Sequence, residues 1–332
     1  MKKINSNIFS EVKDYLKLSR HLEVQLDKNQ SDWIRFQDIF NFTLDKLYRD
    51  IVLFEKQNIV NYESEVYRRK KIFEKRYRKY FVCGEFIKWS LDKPFGYAGD
   101  FKIIDNIYKN EPRTLGFDRL WDNYFQQLNI SIAIRERKED MKKIILDFIK
   151  DRKNTAIRIM NLASGPAREI KELLDINSGK FSNTVFDCYD FDTNAINYAK
   201  GLLNNRGNVN FFEKNAVRLA LKKDIRKEIP HEYDFIYSTG LFDYLDIRLA
   251  SRLVSNLRKL VKKNGLMVIA NVGEKYNNPS AGWMEWVAEW YLIYRTSDEF
   301  KKIFLDAGFS QQALQITEQK SKVIQYCLAR VN

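Results

Sequence analysis

At 332 residues the chain is long for one compact unit, and two domains are the expectation. Apolar residues at 45% supply a sizeable core, which excludes a disordered chain, and no run approaches the roughly 20 apolar residues that cross a bilayer. Two histidines (His21, His231) and three scattered cysteines (Cys83, Cys188, Cys327) exclude an obvious zinc site or a Ser-His-Asp mechanism. The expectation is no metal and reduced thiols. The first residues, M-K-K-I-N-S-N-I-F-S, start basic but lack the apolar run of a signal peptide, so the chain reads as cytoplasmic.

Helical spacing begins at Asp32 and continues to about Lys88, carried by Trp33, Phe36, Ile39, Phe40, Leu44 and Leu47. It resumes through Val66, Ile72, Phe73, Tyr80 and Phe86. Within this region the net charge of +13 concentrates: eight cations lie between Arg68 and Lys79. A solvated helix face is the plainer reading of such a run; an acidic protein, an acyl-carrier protein or a nucleic acid is the other. Pro94, Gly96 and Gly99 then break the helix. Helix returns through Ile103, Ile107, Leu120 and Tyr124 as far as Ile149.

After Asp151 the texture changes to short apolar runs separated by helical segments. Strands are expected at Ile157–Leu162, Val185–Tyr189, Asn208–Phe212, Tyr233–Tyr237 and Gly265–Asn271, with a closing pair at Ala313–Thr317 and Ile324–Ala329. Helices are expected from Thr193 to Leu203 and from Ile247 to Val261. The fold class is therefore α/β: a Rossmann-like, doubly wound, mostly parallel seven-stranded sheet with an N-terminal all-helical domain. The boundary falls near residue 130, with 1–130 as a helical lid or substrate cap and 131–332 as the sheet domain.

A ligand at the carboxyl ends of parallel strands needs close backbone approach. The first strand leads into N-L-A-S-G-P-A-R-E, where Asn161, Ala163, Ser164 and Gly165 are candidate ligand contacts and Pro166 is expected to open the next helix. This is not the G-x-G-x-x-G that brings a diphosphate onto a helix N-terminus. The second strand ends C-Y-D-F-D. Asp190 is placed to accept from both ribose hydroxyls, Phe191 follows it, and Asp192 is the expected helix cap. Asn215 and Ala216 follow the third strand; Asn215 either faces an adenine amino group or is a turn asparagine. The fourth strand runs into S-T-G-L-F-D-Y-L, with Ser238, Gly240 and Leu241 beside the ligand and Asp243 and Tyr244 toward an acceptor.

These residues, together with K-P-F-G-Y-A-G-D-F (Lys93–Phe101), A-I-R-E-R (Ala133–Arg137) and W-Y-L-I-Y-R-T (Trp290–Thr296), carry a resemblance. From about Ile134 onward the chain resembles the class I S-adenosylmethionine-dependent methyltransferases. It also looks like a narrower bacterial group that forms 3-hydroxy fatty acid methyl esters. Glu136 departs from the asparagine expected between Arg135 and Arg137. The resemblance implies S-adenosylmethionine as cofactor, S-adenosylhomocysteine as product, and an O-methyltransferase acting on a small apolar carboxylic or hydroxylated acceptor.

Candidate acceptor residues are Tyr97 and Asp100 in the glycine-flanked break, Arg135, Asp243, Tyr244 and Arg295. Tyr97 and Asp100 read as a lid facing the cofactor, or Asp100 caps the next helix. Arg135 and Arg137 read as a fork for a carboxylate, or as surface ion pairs. Trp283, Trp286, Trp290, Tyr291 and Tyr294 read as a packing helix, as an apolar wall for an acceptor, or as both, with Arg295 near an anionic group. The rival readings are an RNA or protein methyltransferase using the basic helix, and a cofactor-binding module without catalysis. The sequence leaves an oligomer open.

Overall fold

The computed structural model describes residues 8–150, 152, 155–176, 178–204 and 206–331, Ser178 by its backbone alone. The reading of the first residues as free of a signal peptide concerns positions 1–7, outside those described. The helices in chain order are α1 (Ile8–Lys28), α2 (Trp33–Asn58), α3 (Glu63–Arg76), α4 (Glu85–Asp92), α5 (Phe101–Lys109), α6 (Gly116–Gln127) and α7 (Asn129–Lys150). Five strands then alternate with helices: β1 (Ile157–Leu162), α8 (Arg168–Ile176), β2 (Thr184–Asp190), α9 (Thr193–Leu202), β3 (Val209–Glu213), α10 (Ala216–Leu221), β4 (Tyr233–Ser238), α11 (Ile247–Arg258) and β5 (Val261–Val272). The chain closes with α12 (Ala281–Trp286), α13 (Ser297–Asp306), β6 (Leu314–Glu318) and β7 (Ile324–Arg330).

Two compact units result. One takes in the chain up to Ile132 together with Tyr276–Tyr291; the other takes Ala133–Lys275 and Leu292 onward. The helical unit is built on aromatic rings. Tyr15 stacks on Phe81 at 4.4 Å and Phe40 meets Trp121 edge-on at 5.2 Å, a geometry that suits the ring quadrupoles. The unexpected helix α1 contributes the row Ile8, Val12, Tyr15, Leu22 and Leu26, all buried. Ile39 and Tyr80, members of the helical apolar spacing, are exposed. Asp122 holds the start of α4 by accepting from the Glu85 and Phe86 N–H groups. Late in the chain, α12 returns to this unit, with Trp283 edge-on to Phe125 at 5.4 Å. Only Ala281–Trp286 is helical there, so the aromatic segment is shorter as a helix than its spacing suggests.

The sheet unit has strand order β3-β2-β1-β4-β5-β7-β6. The first five are parallel and β7 runs antiparallel to both β5 and β6. One face packs on α7, α8 and α9 through residues such as Ile145, Leu173 and Ala199; the other packs on α10, α11 and α13 through Leu219, Leu253 and Phe300. Chain order reverses between β1 and β4, which opens a crevice at their carboxyl ends. The sheet is thus the seven-stranded, doubly wound, Rossmann-like arrangement.

β5 begins four residues earlier than its apolar run, and its pairing with β4 slips between Tyr233 and Phe235. Gly265 sits in that slip. A Cβ there would lie 2.6 Å from Val261 Cγ1 and 2.8 Å from the Lys262 carbonyl oxygen. Because a backbone oxygen cannot move aside without breaking the sheet, Gly265→Ala is expected to cost about 1–3 kcal/mol. Thermal unfolding should show a midpoint several degrees lower; an unchanged midpoint would refute the close packing.

Candidate functional site

The turn after β1 is more constrained than its residue types suggest. Ala163, Gly165 and Ala167 all adopt left-handed backbone, with φ of 55°, 52° and 49°. Alternating left-handed residues fold the chain tightly under the strand ends, and two of the three positions do so with a Cβ. Each left-handed alanine costs roughly 1–2 kcal/mol relative to its ordinary conformation. Pro166 lies inside this turn; α8 starts only at Arg168, so the proline does not open the helix.

The N–H groups of Ser164, Gly165 and Ala167 each have a partner within the protein. Ser164 donates to the Tyr189 carbonyl oxygen at 3.1 Å and Ala167 to the Ser164 carbonyl oxygen at 3.1 Å. Gly165 donates to Asp190 Oδ2 at 2.8 Å, and Pro166 has no N–H to offer. Asp190 Oδ1 also accepts from the Asp192 N–H at 3.0 Å. Burial raises the Asp190 carboxyl above its ordinary value, and its backbone hydrogen bonds oppose that shift. Asp192 caps α9 as its position predicts, accepting from the Asn194 N–H at 2.8 Å.

Three buried polar atoms at this edge have no hydrogen-bond partner: Ser164 Oγ, Asp192 Oδ2 and Ser238 Oγ. They stand just past β1, just past β2 and at the end of β4. Buried polar atoms are nearly always satisfied in folded proteins. Three orphans at the carboxyl edge of a parallel sheet mark a place where a polar ligand completes the structure. Phe191 follows Asp190 and is 53% exposed, presenting an aromatic face beside them.

Beneath the turn, Glu169 accepts from Asn161 Nδ2 at 2.9 Å and from the Tyr237 hydroxyl at 2.8 Å. Burial raises the Glu169 carboxyl, with nearby Arg137 acting in the opposite sense. Arg137 donates to the Thr239 carbonyl oxygen, beside Gly240, at the end of β4. Glu169 is a positioning residue that sequence pattern alone did not single out; its signal is an acid inside the first turn of α8, directly after the small-residue turn. Gln319 Nε2 donates to the Ala133 carbonyl oxygen and to Asp140, which ties the start of the sheet unit's α7 to the β6–β7 hairpin. Arg135 is half-buried, and desolvation lowers its pKa.

Other expected residues take different roles. Asn215 caps α10 by accepting from the Arg218 N–H at 3.1 Å, the turn-asparagine alternative, and Ala216 is buried as the first residue of that helix. Asp100 is fully buried in the helical unit. Its Oδ1 accepts from the Lys102 and Ile103 N–H groups and its Oδ2 from Trp89 Nε1. It is the cap of α5, the second of the two readings given for this residue. Tyr97, half-buried, lies in the same unit. The Arg295 guanidinium donates to the Phe242 and Leu245 carbonyl oxygens and to Asn271 Oδ1, clamping the loop after β4 onto β5. Leu241 packs against the core, while Tyr244 in the same loop is exposed.

Asp243 is buried and accepts from the Val272 N–H at 2.7 Å. Burial pushes its carboxyl up to about 6, and the positive charges of Arg137 and Arg295 restrain the shift. A carboxyl raised in the folded state weakens the fold as pH climbs from its ordinary value toward the raised one. Asp243→Asn keeps an acceptor for Val272 without the charge. It should therefore stabilise the protein above pH 6 and give little gain near pH 4, as read from melting curves across pH.

Left-handed strain gives a second expectation. Ala163→Gly removes about 1–2 kcal/mol of strain and adds back roughly 0.4–1 kcal/mol of unfolded-state entropy, so a net gain of about 0.5–1 kcal/mol follows. Ala167 is fully buried in the core beside α8, and deleting its methyl forfeits about 0.8 kcal/mol, which cancels the relief. Melting should rank Ala163→Gly above wild type and Ala167→Gly close to it.

No family model matches the chain, and no curated protein matches it. Among solved structures it is similar to a possible exported protein from Bordetella parapertussis, at 16% identity and a TM-score of 0.54, over 70% of this chain and 79% of that one. It is also similar to magnesium protoporphyrin IX methyltransferase from Synechocystis with bound S-adenosylhomocysteine, at 11% identity and a TM-score of 0.50, over 74% and 97%. At these identities the shared property is the fold.

Proposed function

We propose that the sheet unit binds S-adenosylmethionine and transfers its methyl group to a small acceptor, releasing S-adenosylhomocysteine. One observation carries this reading: the Ser164, Gly165 and Ala167 N–H groups of the β1–α8 turn are engaged within the protein, and the carboxylate beside them is Asp190. A dinucleotide needs free N–H groups at this turn for its diphosphate. A nucleoside without phosphates needs a close wall and an acceptor for its ribose hydroxyls, which the left-handed turn and Asp190 supply. The orphan Ser164 Oγ, Asp192 Oδ2 and Ser238 Oγ fit a ligand with polar groups spread along one sheet edge. The fold shared with the Synechocystis methyltransferase is compatible with this and proves no activity by itself.

In this reading Asp190 holds the ribose, Phe191 lies on the adenine with Asn215 and Ala216 beyond it, and Asn161, Ala163, Ser164 and Gly165 form the wall. Ser238, Gly240 and Leu241 border the methionine half. The bound cofactor supplies a methyl group activated on a sulfonium. The chain's own work is then to orient a nucleophile and exclude water. A carboxylate acceptor needs no base, which suits a chain with two histidines; a hydroxyl acceptor would use Asp243, whose carboxyl near 6 matches a proton acceptor at neutral pH. Arg135 and Tyr244 are the remaining candidates of the sheet unit for gripping the acceptor. The basic helix supports a macromolecular substrate less well than its composition suggests. Arg68 and Arg69 pair with Glu65, Lys70 with Glu285 and Arg78 with Glu289.

Calorimetry tests the cofactor directly. S-adenosylhomocysteine should bind and NADH should not, and Asp190→Ala should weaken binding by about tenfold or more through two lost charge-assisted hydrogen bonds. Tight NADH binding without S-adenosylhomocysteine binding would overturn the reading. With labelled cofactor and extracted metabolites, label should move into an organic-soluble product; its release by mild base identifies an ester. Cofactor binding with no transfer to any acceptor pool would leave the catalytically silent module as the better account.

A further inference from the structure

We propose that the methyl acceptor is an uncharged, apolar molecule carrying a phenol-like hydroxyl, and that Asp243 receives the proton of that hydroxyl. This rests on the cofactor reading above and narrows its second substrate. Asp243 lies just past β4 at the carboxyl edge of the sheet and is 5% exposed. Its Oδ1 accepts from the N–H of Val272, the last residue of β5, and its carbonyl oxygen accepts from the Ile293 N–H at 2.7 Å. The side chain is therefore fixed in place. Its Oδ2 accepts from none of the described residues, and unlike the orphan oxygens of Ser164, Asp192 and Ser238 it is not sealed from the surface. Two cations stand near without forming an ion pair to it among the described residues. Arg137, from α7, donates to the Thr239 carbonyl oxygen, and both terminal nitrogens of Arg295 are held by Phe242, Leu245 and Asn271.

Asp190 ends β2 and Asp243 is tied to the end of β5, three strand spacings or about 14 Å across the sheet. A ribose held by Asp190 thus leaves Asp243 to the far end of the cofactor and to the acceptor. Charge then selects the acceptor. A carboxylate would meet a second carboxylate in a desolvated place, where like charges repel. An ammonium would be welcome, but Asp243 would hold it protonated, without the lone pair that attacks carbon. A hydroxyl brings both a nucleophilic oxygen and a proton for Oδ2. Burial raises the Asp243 carboxyl to about 6, which brings it nearer to a phenol, at ~10, than an ordinary aspartate comes. Around it stand Tyr244, Ile247 and Ile293, exposed by 42%, 37% and 39%, an apolar rim for the body of the acceptor. In the transfer the hydroxyl oxygen bonds to the methyl carbon, and the carbon–sulfur bond breaks with its electron pair going to sulfur. The hydroxyl proton passes to Oδ2, leaving a methyl ether, S-adenosylhomocysteine and a neutral Asp243 carboxyl.

Product chemistry with the full chain, labelled S-adenosylmethionine and an extract of small metabolites tests this. The labelled product should be a methyl ether that survives mild base. A base-labile ester or a methylated amine would overturn the proposal and leave the cofactor reading standing. Asp243→Asn should lose transfer by at least about 100-fold. Its affinity for S-adenosylhomocysteine, read by calorimetry, should stay within about twofold of wild type. A larger loss of affinity would assign Asp243 to the cofactor's own ammonium, and undiminished transfer would remove it as the proton acceptor; either result overturns the proposal. Single-turnover transfer by the wild type should fall about tenfold per pH unit below about 6, as Asp243 takes up its proton, and level off above. That profile carries the test should Asp243→Asn fail to fold, and a rate flat across the range would overturn the proposal. A wild-type chain that binds no S-adenosylhomocysteine would remove the cofactor reading itself, and this proposal with it.

Discussion

The hydrogen bond from the Gly165 N–H to the Asp190 carboxylate is the constraint on which the sheet edge depends. It joins the turn after β1 to the end of the neighbouring β2, beside the crevice between β1 and β4 where chain order reverses. A buried carboxylate is expensive unless it is hydrogen-bonded, and here two backbone donors hold it in place while raising no competing charge. The same bond engages the N–H that a diphosphate would otherwise use. One interaction therefore both stabilises the edge and narrows the ligands it can accept.

A second buried layer makes that edge rigid. Glu169 ties Asn161 on β1 to Tyr237 on β4, and Arg295 ties the loop after β4 to β5. Arg137 lies close enough to temper the desolvation of both Glu169 and Asp243, so a single cation from α7 moderates two buried acids. Such networks are costly when half-satisfied, which explains why so many of their members donate to backbone carbonyl oxygens. The orphan hydroxyls of Ser164 and Ser238 stand out because their surroundings are so fully paired.

Much of the sheet was legible in the sequence because apolar runs of strand length between helical segments have few other solutions. β1 and α9 fall within a residue of their expected bounds, and Asp192 caps where an aspartate should. The left-handed turn was not legible: Ala163 and Ala167 sit where glycine would advertise the conformation, and alanine gives no such signal. The backbone partners of Asp100 and Arg295 were only partly legible, because a charged residue beside glycines or aromatics fits a ligand contact as well as a buried cap or clamp. The early start of β5 escaped notice because Lys262, Lys263 and Asn264 interrupt its apolar run. The segment around α12 belongs to the helical unit through Trp283 and Gly282, a long-range choice that local spacing cannot express.

Charge was the least readable property, and the reason is geometric. The run from Arg68 to Lys79 draws attention because its cations are adjacent in sequence, yet four of its eight answer acids from the same unit. The cations of α2 stand farther apart in sequence, and there Arg35 meets Asp32 and Lys46 meets Glu11. On a helix, adjacency in sequence scatters side chains around the axis, while a seven-residue interval returns them to one line. Ile39 counts toward an apolar pattern in either register, so the inward row of α2 hides the outward one. Only the burial of each position separates the core-facing row from the exposed one.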